Sequence, residues 1–123
     1  MGQRDFAGVG LTQAPRLVAL HLLERCRGEH DAWVICWNLR TVKYSERHAA
    51  ALLEISASHF CNILSGKKYP RWDLLEAFET LCGNRAVSQY HALKIGATLT
   101  FKTPEQMRIE QLEAQVEQMK AAA

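Results

Sequence analysis

The sequence predicts an all-α protein, and three observations indicate this class. Apolar residues recur at spacings of three and four residues through most of the chain, which is the pattern of one face of a helix. Residues that favour helix starts precede these runs, and glycines that favour helix ends follow several of them. The segment from Gly96 to Phe101 is too short and unpaired to indicate a sheet.

Length and charge limit the possibilities further. The chain has 123 residues, which is enough for one domain and an appendage but not for a second catalytic domain. Hydrophobic residues make up 48% and charged residues 23%, so an ordinary globular fold is expected. The formal net charge is only +2, yet six basic and two acidic residues lie between positions 40 and 71. An anionic partner is therefore expected at this basic segment.

Four cysteines, Cys26, Cys36, Cys61 and Cys82, are widely spaced and form no C-x-x-C pair. We interpret them as reduced thiols of a cytoplasmic protein, most of them filling the core. The most hydrophobic run, from Leu17 to Leu23, is far shorter than the roughly 20 residues that a membrane span needs, so no membrane role is expected.

The first part of the chain, residues 1–30, is expected to form an arm and an added helix that packs on the core. This helix is predicted from Pro15 to Arg27, with proline at its first position. The next helix is predicted to begin after Asp31 as N-cap and to be apolar on nearly every side. Such a helix is buried on two sides, here expected between the added helix and the segment that follows. The alternative, Trp33 or Trp37 as a platform for base stacking, requires an open surface.

The stretch from Ser45 to Tyr69 predicts two short helices joined by a tight turn and followed by a basic loop. Ser45 and Ser56 are natural N-caps, and the small side chain of Ala50 allows the helices to approach closely. Gly66 ends the second helix. Side chains on the outward face of that helix are expected to read base edges in a major groove: Ala57, Ser58, His59 and Asn62. Flanking residues are expected to bind phosphates: Ser45, Arg47, Ser56, Ser65, Lys67, Lys68, Tyr69 and Arg71.

Two more helices complete the predicted central domain, residues 31–95. The first follows Pro70 and ends at Gly83, and its apolar residues have the spacing of one helical face. The second is capped by Asn84 and ends at Lys94.

Residues 96–123 are predicted to form a linker and a C-terminal oligomerisation helix. Thr103 and Gln106 have the spacing of a capping box around Pro104. The helix then carries two heptads of a coiled-coil seam: Ile109, Leu112, Val116 and Met119. β-branched residues at position a with Leu or Met at d favour parallel dimers. The alternative is that this stripe folds back on its own domain.

The residues from Asp31 to Leu81 resemble the Cro/C1 type of helix-turn-helix regulator, which has a lambda-repressor-like fold of five helices. Ala50, the turn at Ile55 and Ser56, the helix to Leu64 and the Gly66 loop carry the resemblance. The family usually has glycine in the turn, where this chain has Glu54. A residue other than glycine adopts the left-handed conformation there at a cost of about 1 kcal/mol.

The resemblance implies a sequence-specific regulator of transcription that binds double-stranded DNA, and small members of this kind are commonly repressors of phage or mobile-element type. A homodimer on a palindromic operator is the expected arrangement. Two alternatives stay open, an antitoxin-type interaction protein that regulates its own gene and a phage replication or recombination accessory factor. The histidines and cysteines have no metal-ligand spacing and no nucleophile motif occurs, so no metal, cofactor or enzymatic activity is expected.

Overall fold

The computed structural model describes residues 15–122. The regular elements of these residues are seven helices, with one isolated bridge between Arg16 and Asn84. The helices are α1 (Leu20–Glu24), α2 (Glu29–Asn38), α3 (Glu46–Leu52), α4 (Ala57–Leu64), α5 (Leu74–Cys82), α6 (Ala86–Lys94) and α7 (Pro104–Ala122). The described part is thus all-α, as predicted. The arm predicted in the first ten residues lies outside the described residues.

Helix α2 is the centre of the core, because α4, α5 and α6 all pack against it. Its Ala32, Trp33, Cys36 and Trp37 are buried. Helix α3 packs on α4, and α1 packs on α6. The prediction that α2 is enclosed on two sides is confirmed, but its second neighbour is α6 rather than the added N-terminal helix.

Aromatic rings connect α2 to α4 and α5. Trp33 stacks on Phe78 with ring centroids 4.4 Å apart, and Trp37 forms a T-shaped contact with Phe60 at a centroid distance of 5.1 Å. The ring centroids of Phe60 and Phe78 are 6.2 Å apart, so the four rings form one cluster. Both tryptophans are buried, Trp33 to 2% and Trp37 to 7% exposure, so neither is an open platform for base stacking.

The guanidinium of Arg40 fixes the chain between α2 and α3. It lies 3.8 Å from the Trp37 ring centroid, and it donates to the carbonyl oxygens of Trp37 (2.8 Å) and Tyr44 (3.1 Å). Burial places the Tyr44 side chain in the core and raises the pKa of its hydroxyl above the usual value. The position of α3 therefore depends on contacts that begin at the end of α2.

A buried polar group joins α2 to the start of α6. The Asn84 side chain, 3% exposed, donates to the Cys36 carbonyl oxygen (3.0 Å) and accepts from the Ala86 amide (3.1 Å). Glu79 of α5, 1% exposed, accepts from the amide and hydroxyl of Ser88, both at 2.7 Å. These acceptors satisfy amides that the first turn of a helix leaves free.

The added N-terminal helix is much shorter than predicted, since only Leu20–Glu24 is helical. The residues before it are extended, and Arg16 exchanges backbone hydrogen bonds with Gly83 and Arg85, each 2.9 Å long. The side chain of Gln89 bonds both the amide (2.8 Å) and the carbonyl (3.0 Å) of Val18. The predicted start at Pro15 was therefore wrong, because distant residues satisfy this backbone in an extended form.

Two other helix starts differ from the prediction. Helix α2 begins at Glu29 after Gly28, so Asp31 is not its N-cap. Asp31 lies in the first turn instead, where its carboxylate accepts from the Arg27 amide (2.8 Å). Helix α6 begins at Ala86, two residues after Asn84, and Asn84 acts through the hydrogen bond to Ala86 described above.

Helix α7 is exposed along its whole length. Its predicted capping box is confirmed, since the Thr103 amide donates to Gln106 Oε1 (2.9 Å) and the Gln106 amide donates to Thr103 Oγ1 (3.1 Å). The apolar stripe is exposed by 52% at Ile109, 55% at Leu112 and 49% at Val116. The alternative in which this stripe folds back on its own domain is contradicted.

Replacement of Asn84 by alanine tests the buried polar group. It removes two buried hydrogen bonds and leaves the Cys36 carbonyl and the Ala86 amide without partners. We expect a loss of about 3 kcal/mol in the free energy of unfolding, measured by urea titration. Asn38→Ala, at an exposed position in α2, is the matched control and is expected to change it by less than about 0.5 kcal/mol. Equal stability of the two variants would contradict this role.

Candidate nucleic-acid interface

Two short helices, α3 and α4, pack against each other and begin in the same way. The hydroxyl of Ser45 accepts from the His48 amide (3.0 Å), and that of Ser56 accepts from the His59 amide (3.0 Å). Both predicted N-caps are confirmed, and both serines lie at the surface. Ala49 and Ala50 are buried, so the backbones approach where the sequence has small residues.

The turn between these helices contains a residue in the left-handed region. Glu54 has φ +61°, a conformation that glycine adopts more readily than other residues. The Ile55 amide donates to the Ala50 carbonyl (3.0 Å) and the Glu54 amide to the Ala51 carbonyl (3.1 Å). These two bonds form a Schellman motif, which satisfies the last carbonyls of α3 and turns the chain toward α4.

Helix α4 has one buried face and one open face. Phe60 and Ile63 are buried in the core, and Ala57, Ser58 and Ser65 are exposed. His59 and Asn62 are half-buried, and their spacing of three residues places them on the same side of the helix. The four residues predicted to read bases thus lie along a short, mostly neutral surface.

His30 of α2 holds the loop after α4 in place. Its Nε2 donates to the Leu64 carbonyl oxygen at 2.7 Å, and its ring would lie 3.2 Å from a Cβ at Gly66. A side chain at Gly66 is unfavourable for two reasons, the nearby His30 ring and the left-handed backbone, which has φ +84°. The amides of Lys67 (2.9 Å) and Lys68 (3.2 Å) both donate to the Asn62 carbonyl, which fixes the start of the basic loop on α4.

The basic side chains predicted to bind phosphates are exposed. In the described part of the chain, Arg47, Lys67 and Lys68 form no ion pair. Arg71 forms one with Asp73 (3.3 Å), but both side chains are more than 70% exposed, and such pairs stabilise a protein very little. Tyr69 is 90% exposed at the tip of the loop. These charges are therefore free to meet an anionic partner.

Three features of this region were not found from the sequence. Arg40, counted with the basic segment, is engaged with Trp37 and Tyr44 rather than open to solvent. Trp72 is 72% exposed beside the basic loop, and its ring forms a T-shaped contact with His91. Cys61 is exposed on the open face of α4, where the helical spacing from buried Phe60 could have placed it.

The cysteines otherwise follow the prediction of core fillers. Cys36 and Cys82 are buried, and Cys26 is half-buried. Burial raises the pKa of the Cys36 thiol far above its ordinary value, and the neighbouring Cys82 raises it further. Burial, with a contribution from Asp31, also raises the pKa of the Cys26 thiol. The raised pKa values keep the Cys26 and Cys36 thiols protonated at neutral pH.

Residues 15–122 contain no group of three or more His, Cys, Asp or Glu side chains arranged to hold a metal ion. Within the same residues, no helix combines the length and the apolar character needed to cross a membrane. A comparison with protein-family models, curated proteins and solved structures gives no match to this chain.

Replacing Glu54 by glycine tests the turn, because glycine adopts positive φ without the steric cost of a Cβ. We expect Glu54→Gly to raise the free energy of unfolding by up to about 1 kcal/mol, the relief of that cost being partly offset by the greater entropy of the unfolded chain. The same substitution at Glu76, an exposed helical position in α5, is expected to lower it by about 1 kcal/mol. Effects of the same sign at both positions would contradict the left-handed turn.

Proposed function

We propose that this protein is a sequence-specific regulator of transcription that binds double-stranded DNA, with α3 and α4 as a helix-turn-helix of the Cro/C1 type. The observation that carries the proposal is the open face of α4, which is short and mostly neutral and is followed by two lysines that form no ion pair within residues 15–122. A narrow helix with small polar side chains fits into a major groove and leaves room for hydrogen bonds to base edges. The lysines then hold the phosphates that border the groove.

The arrangement of the five helices from α2 to α6 also supports the proposal. The buried side of α4 rests on Trp37 through Phe60, so its open side faces away from the core. The exposed N-caps Ser45 and Ser56 begin α3 and α4, and helix N-termini attract phosphates. In a lambda-repressor-like domain these are the helices that meet the duplex.

Asn62 is the residue that we expect to read a base most specifically, because a carboxamide pairs with adenine through two hydrogen bonds. Asn62→Ala is expected to remove about 1–3 kcal/mol of discrimination at one base pair in each half-site. Selection of sites from random duplex DNA, followed by titration of single-base variants, measures this. Asn38→Ala, on the exposed part of α2, is the control that leaves the preference unchanged. If Asn62→Ala weakened binding to all sequences equally, base reading by this face would be refuted.

Lys67 and Lys68 are expected to bind phosphates without reading sequence. Each neutralised phosphate contributes about 0.9 to the slope of log K against log salt concentration. Lys67→Ala and Lys68→Ala, made separately, are therefore each expected to flatten the slope by about 0.9 and to keep the preferred sequence. Lys102→Ala is the control. It removes the same charge from a side chain that contacts Glu110 of α7, away from the loop, and it is expected to leave the slope unchanged. If the Lys67→Ala and Lys68→Ala variants had the same slope as the unmodified protein, the loop would not contact DNA phosphates.

We further propose that the protein acts as a homodimer through α7 and represses transcription by covering a promoter. One helix-turn-helix reads only a few base pairs, and a symmetric pair places two α4 helices about 34 Å apart on one side of a palindromic operator. The stripe formed by Ile109, Leu112, Val116 and Met119 is exposed in the single chain, which is required if a second copy is to pack against it. In a parallel pair, Arg108 at position g lies beside Glu113 at position e of the other copy, so opposite charges meet.

Leu112→Asp tests this dimer because it places a carboxylate in the seam. We expect the full-length variant to sediment as a monomer and to bind a palindromic site much more weakly than the unmodified protein. Gln118→Asp adds the same charge at position c, outside the seam, and is expected to remain a dimer. A dimeric Leu112→Asp variant would place the interface elsewhere, with α1 the first alternative.

A further inference from the structure

A cavity of about 380 Å³ lies against the basic loop that follows α4. The first turn of α2, the loop from Gly66 to Pro70 and the end of α6 form its walls. Its volume is at the lower end of the range of small-molecule sites, which suits a molecule of one or two rings. Three sequence segments that are distant along the chain converge on it.

Cationic side chains surround this cavity. Arg27, Lys68 and Lys94 come from the three different walls, and in the described residues none of them forms an ion pair. The one carboxylate in the lining, Glu29, accepts from Trp33 Nε1 through Oε2 (3.0 Å), and its Oε1 lies 3.2 Å from His91 Nε2. Three positive charges and the one negative charge of Glu29 line the cavity, and the resulting net charge of +2 favours an anion.

Backbone geometry adds to the positive potential. Gly28 is the N-cap of the ten-residue helix α2, and no side chain caps its amides. The N-terminus of α2 therefore lines the cavity beside Arg27, although the carboxylates of Glu29 and Asp31 in its first turn offset part of the positive potential of these amides.

Aromatic rings form the rest of the lining. Trp33 and Tyr90 are buried to 2% and 7% exposure beneath the cavity, and Tyr69 stands at its rim with 90% of its surface exposed. Lys94 Nζ lies 5.7 Å from the Tyr90 ring centroid, so a cation and an aromatic face are adjacent. Flat apolar walls beside unpaired cations accommodate a ring that carries a negative group.

We propose that this cavity binds a small aromatic anion, with its ring between Tyr69 and Tyr90 and its carboxylate or phosphate near Arg27, Lys68 and Lys94. The inference goes beyond the proposed function and is tested without DNA. Titration of the full chain with 1-naphthoate or phenyl phosphate, followed by calorimetry and by the fluorescence of Trp33 and the other tryptophans, is expected to show saturable binding of one molecule per chain. Tighter binding of one probe identifies the anionic group that the site prefers.

Matched probes and variants decide the proposal. The neutral 1-naphthalenemethanol and inorganic phosphate, which lack the charge and the ring respectively, are each expected to bind at least tenfold more weakly. Arg27→Gln, Lys94→Gln and Tyr69→Ala, all at exposed positions, are each expected to weaken binding about tenfold, whereas Lys43→Gln, outside the cavity, is not. Absence of saturable binding, equal binding of the neutral probe, or equal loss in the Lys43→Gln control would overturn the inference.

Discussion

The constraint on which the rest of the structure depends is that α2 is apolar on nearly every side. A helix of this kind has to be enclosed, and α4, α5 and α6 enclose it. The rings of Trp33 and Trp37 determine how these neighbours sit, because large planar side chains pack in few arrangements. Because Phe60 packs against Trp37, one face of α4 is buried and the opposite face points outward. The surface proposed to meet DNA is thus a consequence of how the core is filled.

Polar groups make this enclosure specific. Asn84, Glu79 and Gln89 are buried, and each satisfies backbone atoms of an element distant in sequence or at a helix start. Gly83 ends α5 beside Asn84. A side chain would not fit there, because a Cβ would lie 2.5 Å from Thr41 Oγ1. Apolar packing tolerates sliding and rotation of helices, whereas an unmatched buried hydrogen bond is costly, so these contacts restrict α2, α5 and α6 to one arrangement.

Local signals predicted the parts of the fold that local chemistry determines. The serine caps of α3 and α4, the left-handed turn at Glu54 and the capping box at Thr103 depend on residues within a few positions of one another. The segment from Pro15 to Ala19 was mispredicted because its partners are about 70 positions away, at Gly83, Arg85 and Gln89. The cavity could not be predicted for the same reason, since its walls meet only when the whole domain is folded. The sequence therefore indicated the local geometry of α3, α4 and their turn, built from neighbouring residues, far better than the cavity.

The exposure of Cys61 gives the protein a natural chemical reporter. Thiolates are the species that react with maleimides, and the other three cysteines are buried or half-buried. An alkylating reagent under native conditions therefore modifies the thiol on the open face of α4 first. The rate of that modification measures whether the face is covered, with no need to introduce a label. Any ligand that occupies this face is expected to slow the reaction, whatever its identity.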